Sequence, residues 1–253
     1  MEYNLSNPIA ERKTKTVYRD GDKTIKLFVE DYSKADILNE ALNQARVEEG
    51  TDLNIPKLLE VTKIDNRWAL VSEYIEGTPL NKLMEEHPEK EDEYLNLFID
   101  LQLKVLSHRV PLLSRIKDKF RRKLVNAKKI GEDTRYELMQ RLEGMKDHVK
   151  LCHGDFNPSN IIIKEDGTAC IIDWSHVTQG NTSADAARTF LLFSIDKKDA
   201  LAEKYINLFS EKSGISKANI QRWIPIVAAT QMTKGKEEEQ EFLSRWINVV
   251  DYE

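Results

Sequence analysis

Three side chains in the stretch LCHGDFNPSNIIIKEDGTACIIDWSHV, residues 151–177, have the types and spacing of a phosphate-handling site: Asp155, Asn160 and Asp173. Asn160 and Asp173 bracket a predicted β-hairpin whose tip is Asp166-Gly167, a pair favoured in two-residue type I′ turns. A two-residue loop sets Glu165 opposite Thr168, Ile161 opposite Ile172 and Asn160 opposite Asp173. Directly opposed residues have Cβ atoms only ~5 Å apart. An amide oxygen and a carboxylate held that close are hard donors able to share one Mg²⁺, at Mg–O distances of ~2.1 Å. Asp155 lies earlier, between Gly154 and Pro158, and is free of the ion in this arrangement. A separate carboxylate beside a metal pair is what phosphoryl transfer uses to take the proton of an attacking hydroxyl. Each acid alone reads as a cap or turn residue. The ordered combination D-x₄-N, hairpin, Asp reads as a site.

These elements need a scaffold to position them. Residues 15–29 read as two strands around Asp20-Gly21. A helix follows, with Ser33 as N-cap, Asp36 three residues on, apolar Ile37, Leu38, Ala41, Leu42 and Ala45 at helical spacing, and Gly50 at the end. Short strands are expected near 57–63 and 67–75. At EGTPL the texture changes: Gly77 is a break, Thr78 an N-cap and Pro79 a first-turn residue. Beyond it, helices are expected at 79–86, 91–108, 114–129, 133–147, 184–195, 197–213, 217–233 and 236–250, interrupted only by the β segment at 160–173. The predicted division is an N-terminal nucleotide-binding lobe, 1–75, and a C-terminal helical lobe, 76–253.

HGDFNPSN followed by IIDW resembles the aminoglycoside phosphotransferase and choline kinase families, which share the protein-kinase-like fold. The resemblance implies an α+β, two-lobed fold with a small antiparallel-sheet lobe and a larger, mostly helical one. It implies Asp155 as catalytic base and Asn160 and Asp173 as metal ligands. It also demands a strand lysine on the nucleotide phosphates and a helix glutamate to hold it, which Lys26 and Glu40 match. The strand ending Ser72-Glu73-Tyr74-Ile75 resembles the hinge, where the backbone of Glu73 and Ile75 would bind the base. Asp185 and Arg188 resemble the region that supports the catalytic loop. ATP or GTP and Mg²⁺ are the implied nucleotide and metal. The departures are equally specific. No G-x-G-x-x-G precedes Lys26, Gly21 being the only flexible turn there, and Gly154 stands where protein kinases carry the arginine of HRD. Twelve steps from Asp173 to Asp185 leave no room for a long activation segment, which favours a small-molecule kinase over a regulated protein kinase.

The resulting expectation is an ATP-dependent kinase acting on a hydroxyl of a small acceptor. The alternatives are a non-catalytic nucleotide-binding pseudokinase, and a metal-dependent hydrolase that leaves Lys26 and Glu40 unexplained. For the acceptor, Glu237, Glu238, Glu239 and Glu241 would suit a polycation such as an aminoglycoside. Trp174, Trp223, Trp246 and Tyr252 would suit a quaternary ammonium such as choline. Solvated acids and core tryptophans are the plainer readings of both sets.

Composition bounds the rest. The 253 residues suffice for a core without staples, and a net charge of −5 argues against nucleic acid as the partner. The basic run 117–129, KDKFRRKLVNAKK, reads as a solvated helix face. Two cysteines, Cys152 and Cys170, sit in apolar runs and are expected to be buried, reduced thiols. Without a signal-peptide core or a membrane-length apolar run, the expected location is cytoplasmic.

Overall fold

A computed structural model describes residues 3–247. The strands are β1 (Pro8–Arg12), β2 (Lys15–Asp20), β3 (Lys23–Phe28), β4 (Leu58–Ile64), β5 (Arg67–Glu73), β6 (Thr78–Pro79), β7 (Lys150–Cys152), β8 (Ile161–Ile163), β9 (Ala169–Ile171) and β10 (Thr178–Gly180). The helices are α1 (Lys34–Gly50), α2 (Leu80–Glu86), α3 (Glu91–Ser107), α4 (Ile116–Val125), α5 (Glu132–Gly144), α6 (Thr182–Ile195), α7 (Asp199–Ser213), α8 (Lys217–Gln221), α9 (Ile224–Met232) and α10 (Glu237–Ile247). They fall into two compact units. One is the N-terminal stretch up to His87 with Pro158–His176; the other is Pro88–Asn157 with the stretch from Val177 onward.

The first unit is built on an antiparallel sheet of order β1-β2-β3-β5-β4. Strand alternation gives it two apolar faces. Ile25, Leu27, Ala69 and Val71 pack on one side with Tyr3, Leu5, Tyr18 and Ile64. Phe28 and Leu70 pack on the other against Ile37 and Ala41 of α1. Ser33 caps α1 as its type predicts, accepting from the Asp36 N–H at 3.3 Å. A second sheet, order β6-β8-β9, belongs to the same unit.

The second unit is helical. All nine residues of α9 are buried, as expected of a helix apolar on every side. Phe98, Phe156, Phe193, Tyr205 and Phe209 form a chain of ring contacts with centroids 4.9–6.0 Å apart. Strands β7 and β10 pair antiparallel, Leu151 opposite Gln179.

The sequence-derived boundaries shift in four places. The compact units do not part at 76, because Thr78 and Pro79 pair with Ile163 and Ile162 and so join 76–87 to the first unit. Thr78 is therefore a strand residue, and α2 starts from Pro79 without a side-chain cap. The helix expected over 217–233 is two helices, with Pro225 in the first turn of the second. The β segment is not the sole interruption of the helical part, since β7 and β10 also lie there; the end of the helix expected to reach 250 lies outside the described residues. Cys152 and Cys170 are buried free thiols, as expected. No described helix is long and apolar enough to cross a membrane.

Candidate active site

Lys26 lies between Ile25 and Leu27 on β3, so alternation turns it to the side of the sheet that carries α1. There its Nζ is 2.9 Å from Glu40 Oε1 and 2.9 Å from Asp173 Oδ1. Three of the predicted residues are thus brought together. Burial alone would lower the Lys26 pKa, but Asp173 and Glu40 outweigh it and raise it above the usual lysine value. Burial likewise opposes the charge of Asp173, yet Lys26 and Lys15 hold its carboxyl well below the normal range. The group is ionised at every physiological pH.

Asp173 reaches Lys26 through an unusual backbone. Its φ is 60°, in the left-handed region that non-glycine residues seldom adopt. Such conformations concentrate where a side chain must be re-aimed for function. The hairpin leading to it differs from the expected one by a single residue. Ile161 pairs with Ile171 and Ile163 with Ala169, and the Ile172 N–H donates to the Asn160 carbonyl at 2.9 Å. Asn160 is therefore opposite Ile172, not Asp173. The cause is the turn: Lys164 and Thr168 close a three-residue loop in which Gly167 takes φ 81°. Asn160 and Asp173 are thus not a directly opposed pair, and what they offer a shared ion is the chemistry of their oxygens.

The donor chemistry suits Mg²⁺. An ionised carboxylate and an amide oxygen are hard ligands. Among the described residues no group of three or more His, Cys, Asp or Glu could hold a metal unaided. Mg²⁺ is normally held by one or two such protein oxygens together with substrate phosphates, so this set fits a metal that arrives with a nucleotide.

At the hinge, the Glu73 N–H donates to Lys57 O at 3.0 Å and the Tyr74 N–H to Asp22 O at 2.7 Å. The Glu73 carboxylate accepts the Lys57 N–H at 3.2 Å.

Asp155 belongs to the second unit, half-buried in the loop after β7. Arg188 Nη2 on α6 lies 3.2 Å from its Oδ1, and Arg188 Nη1 donates to Gln231 Oε1 at 2.7 Å. Asp155's own N–H donates to His153 Nδ1 at 3.3 Å, and its carbonyl accepts from Asn157 Nδ2 at 3.0 Å. Buried Asp185 anchors the same loop, accepting the Gly154 N–H at 2.7 Å and Gln102 Nε2 at 3.2 Å. Gln102 in turn accepts from Tyr205 Oη at 2.7 Å, and Thr189 Oγ1 donates to Phe156 O at 2.8 Å. Burial raises the Asp185 pKa while the Gly154 N–H opposes the shift. The support expected of Asp185 and Arg188 is thus present as explicit bonds.

The two acceptor features fare differently. Trp174 and Trp223 are core residues, 1 % and 2 % exposed, and Trp246 packs on Phe190 and Phe242. Tyr252 lies outside the described residues. Glu239 is buried and bonded to Gln231 and Lys236, and Glu241 pairs with Arg245. Sequence reasoning missed Lys15, which lies 4.0 Å from Glu40 Oε1. The signal was register: Val17 faces Lys26, so Lys15, two residues earlier, shares the face of Lys26.

The antiparallel-sheet unit and the helical unit together make an α+β fold of the protein-kinase-like kind. The chain belongs to the phosphotransferase enzyme family, whose sequence model matches residues 8–218. Among solved structures, a thermostable mutant of the aminoglycoside phosphotransferase APH(4)-Ia is similar with a TM-score of 0.69 at 14 % identity, covering 95 % of this chain and 90 % of that one. The aminoglycoside-3'-phosphotransferase of type VIII has a TM-score of 0.65 at 14 % identity, with 90 % and 93 % covered. APH(3'')-Id from Streptomyces rimosus, in complex with ADP and streptomycin, has a TM-score of 0.60 at 17 % identity, with 85 % and 90 % covered. At these identities the likeness is one of fold. No curated protein matches the sequence.

Proposed function

We propose that the protein transfers the γ-phosphate of ATP to a hydroxyl group of a small molecule. The observation that carries this reading is Lys26, held at 2.9 Å by both Glu40 and Asp173. A strand lysine paired to a helix glutamate is the arrangement that fixes nucleotide phosphates in kinases. Nucleotide complexes of structures with this fold, such as the ADP and streptomycin complex, are consistent with it.

Lys26 binds the phosphates and Glu40 orients it. The hinge amides of Glu73 and Tyr74 are bonded within the chain, which leaves the Glu73 carbonyl and the Ile75 backbone for the base. Asn160 and Asp173 would hold Mg²⁺, which when bound offsets negative charge on the phosphate oxygens. Asp155, oriented by Arg188, takes the proton of the acceptor hydroxyl. The acceptor oxygen forms a bond to the γ-phosphorus as the bond to the β–γ bridging oxygen breaks, and ADP leaves with that oxygen. Positioning and electrostatics supply most of the rate.

The test is phosphate transfer from Mg-ATP to a panel of hydroxyl compounds. Asp155→Ala is expected to lose about 10²–10⁴-fold in turnover while keeping its affinity for ATP. Undiminished turnover would remove Asp155 from the role. Nucleotide binding without transfer to any acceptor would favour a non-catalytic binder.

A further inference from the structure

Of the four charged residues gathered around Glu40, Lys15 is the one to which the reaction above gives no role. It opens β2 directly after the turn Lys13-Thr14, and Phe28 faces it across β3. Lys26 is two residues back from Phe28, so the two lysines are diagonal neighbours on the side of the sheet that carries α1. Such positions are ~7–8 Å apart at the backbone and within reach of long side chains. Both ammoniums come to one oxygen: Glu40 Oε1 lies 2.9 Å from Lys26 Nζ and 4.0 Å from Lys15 Nζ. Both lysines are half-buried, and all of these residues, with Asp173, lie in the first unit.

The two lysines are held unequally. Lys26 has two carboxylates at 2.9 Å, those of Glu40 and Asp173. Lys15 has the outer reach of Glu40, with its Nζ 5.9 Å from the centre of the Phe28 ring. A separation of 4.0 Å is too long for a hydrogen bond, so the donors of Lys15 are not spent on that carboxylate. Packing does not call for a lysine here. Phe28, Leu70, Ile37 and Ala41 make this side apolar, and an aliphatic side chain would cover Phe28 without setting one ammonium beside another. Departures of this kind from charge pairing concentrate at functional sites.

Charge balance shows what the second ammonium is for. Lys15 and Lys26 match Glu40 and Asp173 in the group as it stands. Asp173 is one of the two residues that would hold Mg²⁺, and a carboxylate given to the ion leaves the lysines with Glu40 alone. One ammonium is then in excess, next to the lysine that takes the phosphates.

We propose that Lys15 is a second phosphate-binding residue: its ammonium donates to phosphate oxygens of the nucleotide beside Lys26, with Glu40 shared between the two. The proposal rests on the phosphotransfer reading above and adds a binding group that reading does not use. An ammonium carries three donors, and bonds from it to phosphate are charge-assisted.

The experiment measures binding, so it needs no acceptor. Mg-ATP, Mg-ADP and inorganic tripolyphosphate each displace a fluorescent ADP analogue from the wild type, Lys15→Met, Lys15→Gln, Lys15→Arg and Lys63→Met. Lys15→Met and Lys15→Gln are expected to lose about tenfold in affinity for all three ligands, including tripolyphosphate, which has no base. Two neutral replacements keep the test decisive if one of them fails to fold. Lys15→Arg keeps the charge and should stay within about threefold of the wild type. Lys63→Met removes the same charge from an exposed position on β4 and should bind as the wild type does. Wild-type affinity in the neutral variants would overturn the role of Lys15 and leave phosphotransfer standing. A loss that Lys15→Arg shares in full would also overturn it, since shape and not charge would then matter. If the wild type binds none of the three ligands, the phosphotransfer reading fails and the role of Lys15 fails with it.

Discussion

Lys15 is the residue that best explains how this site manages without a glycine-rich loop. Its side chain is 18 % exposed and shares Glu40 with Lys26. Burial, then repulsion from Lys26, lowers its pKa, while Asp173 and Glu40 pull the other way. The β1–β2 connection is the two residues Lys13 and Thr14, a short turn with no glycine to give it added backbone freedom. A second ammonium beside Lys26 supplies positive charge by another route. Lys15→Met is expected to weaken ATP binding about tenfold, read by calorimetry, and to leave adenosine binding unchanged. Equal losses for both ligands would make Lys15 a packing residue only.

At the scale of elements, the hairpin shows both what the sequence discloses and where it stops. Asp166-Gly167 announces a turn, but two- and three-residue loops both place glycine at a positive φ, and dipeptide identity does not separate them. The chain uses the longer loop, the register moves by one, and Asn160 meets Ile172. A one-residue slip reverses which residues share a face. The left-handed Asp173 then re-aims its carboxylate, a correction no propensity rule contains. Ser33 was readable because a cap is local, whereas the α1 stripe was readable only in part: Ile37 and Ala41 are buried, but Leu38 and Leu42 are exposed and Glu40, Asn43 and Gln44 are buried instead. Three-residue strands such as β7 and β10 were not readable, because they are too short to alternate and exist through a partner far along the chain. Pro225 was a readable signal of a new helix that the continuous apolar run obscured. Lys26 and Glu40 were found through family resemblance, and their contact needed the sheet face that α1 covers. Gly77 yields a prediction at this scale. It has φ 150°, and an added Cβ would run into Ile163 O on β8. Gly77→Ala should therefore cost on the order of 1–3 kcal/mol from the backbone alone, seen as a lower Tm. An unchanged Tm would mean that the β6–β8 junction yields freely.

Over the whole molecule, net charge and local charge point in opposite directions. The chain carries −5 overall, yet on the second unit Lys119 and Lys123 feel the positive charge of Arg188 as well as the negative charge of Asp155. This makes stability a proton-linked property. Burial lowers Lys119 to about 7 and Lys123 to about 8, whereas unfolded lysines hold their protons to the ordinary value of 10.5. Between those limits the unfolded chain binds more protons, so the contribution of these lysines to stability rises as pH rises from about 7. Arg188 and Asp155 are the charged groups that act on both of these lysines, and the acids on the α5 side, Glu143 and Asp147, are taken by Arg121 and Lys117. Between pH 7 and pH 9 the Tm of the wild type should therefore gain on that of a Lys119→Met/Lys123→Met double variant, which keeps every other titrating group. A constant difference between the two proteins would show that the lysines keep their charge over that range.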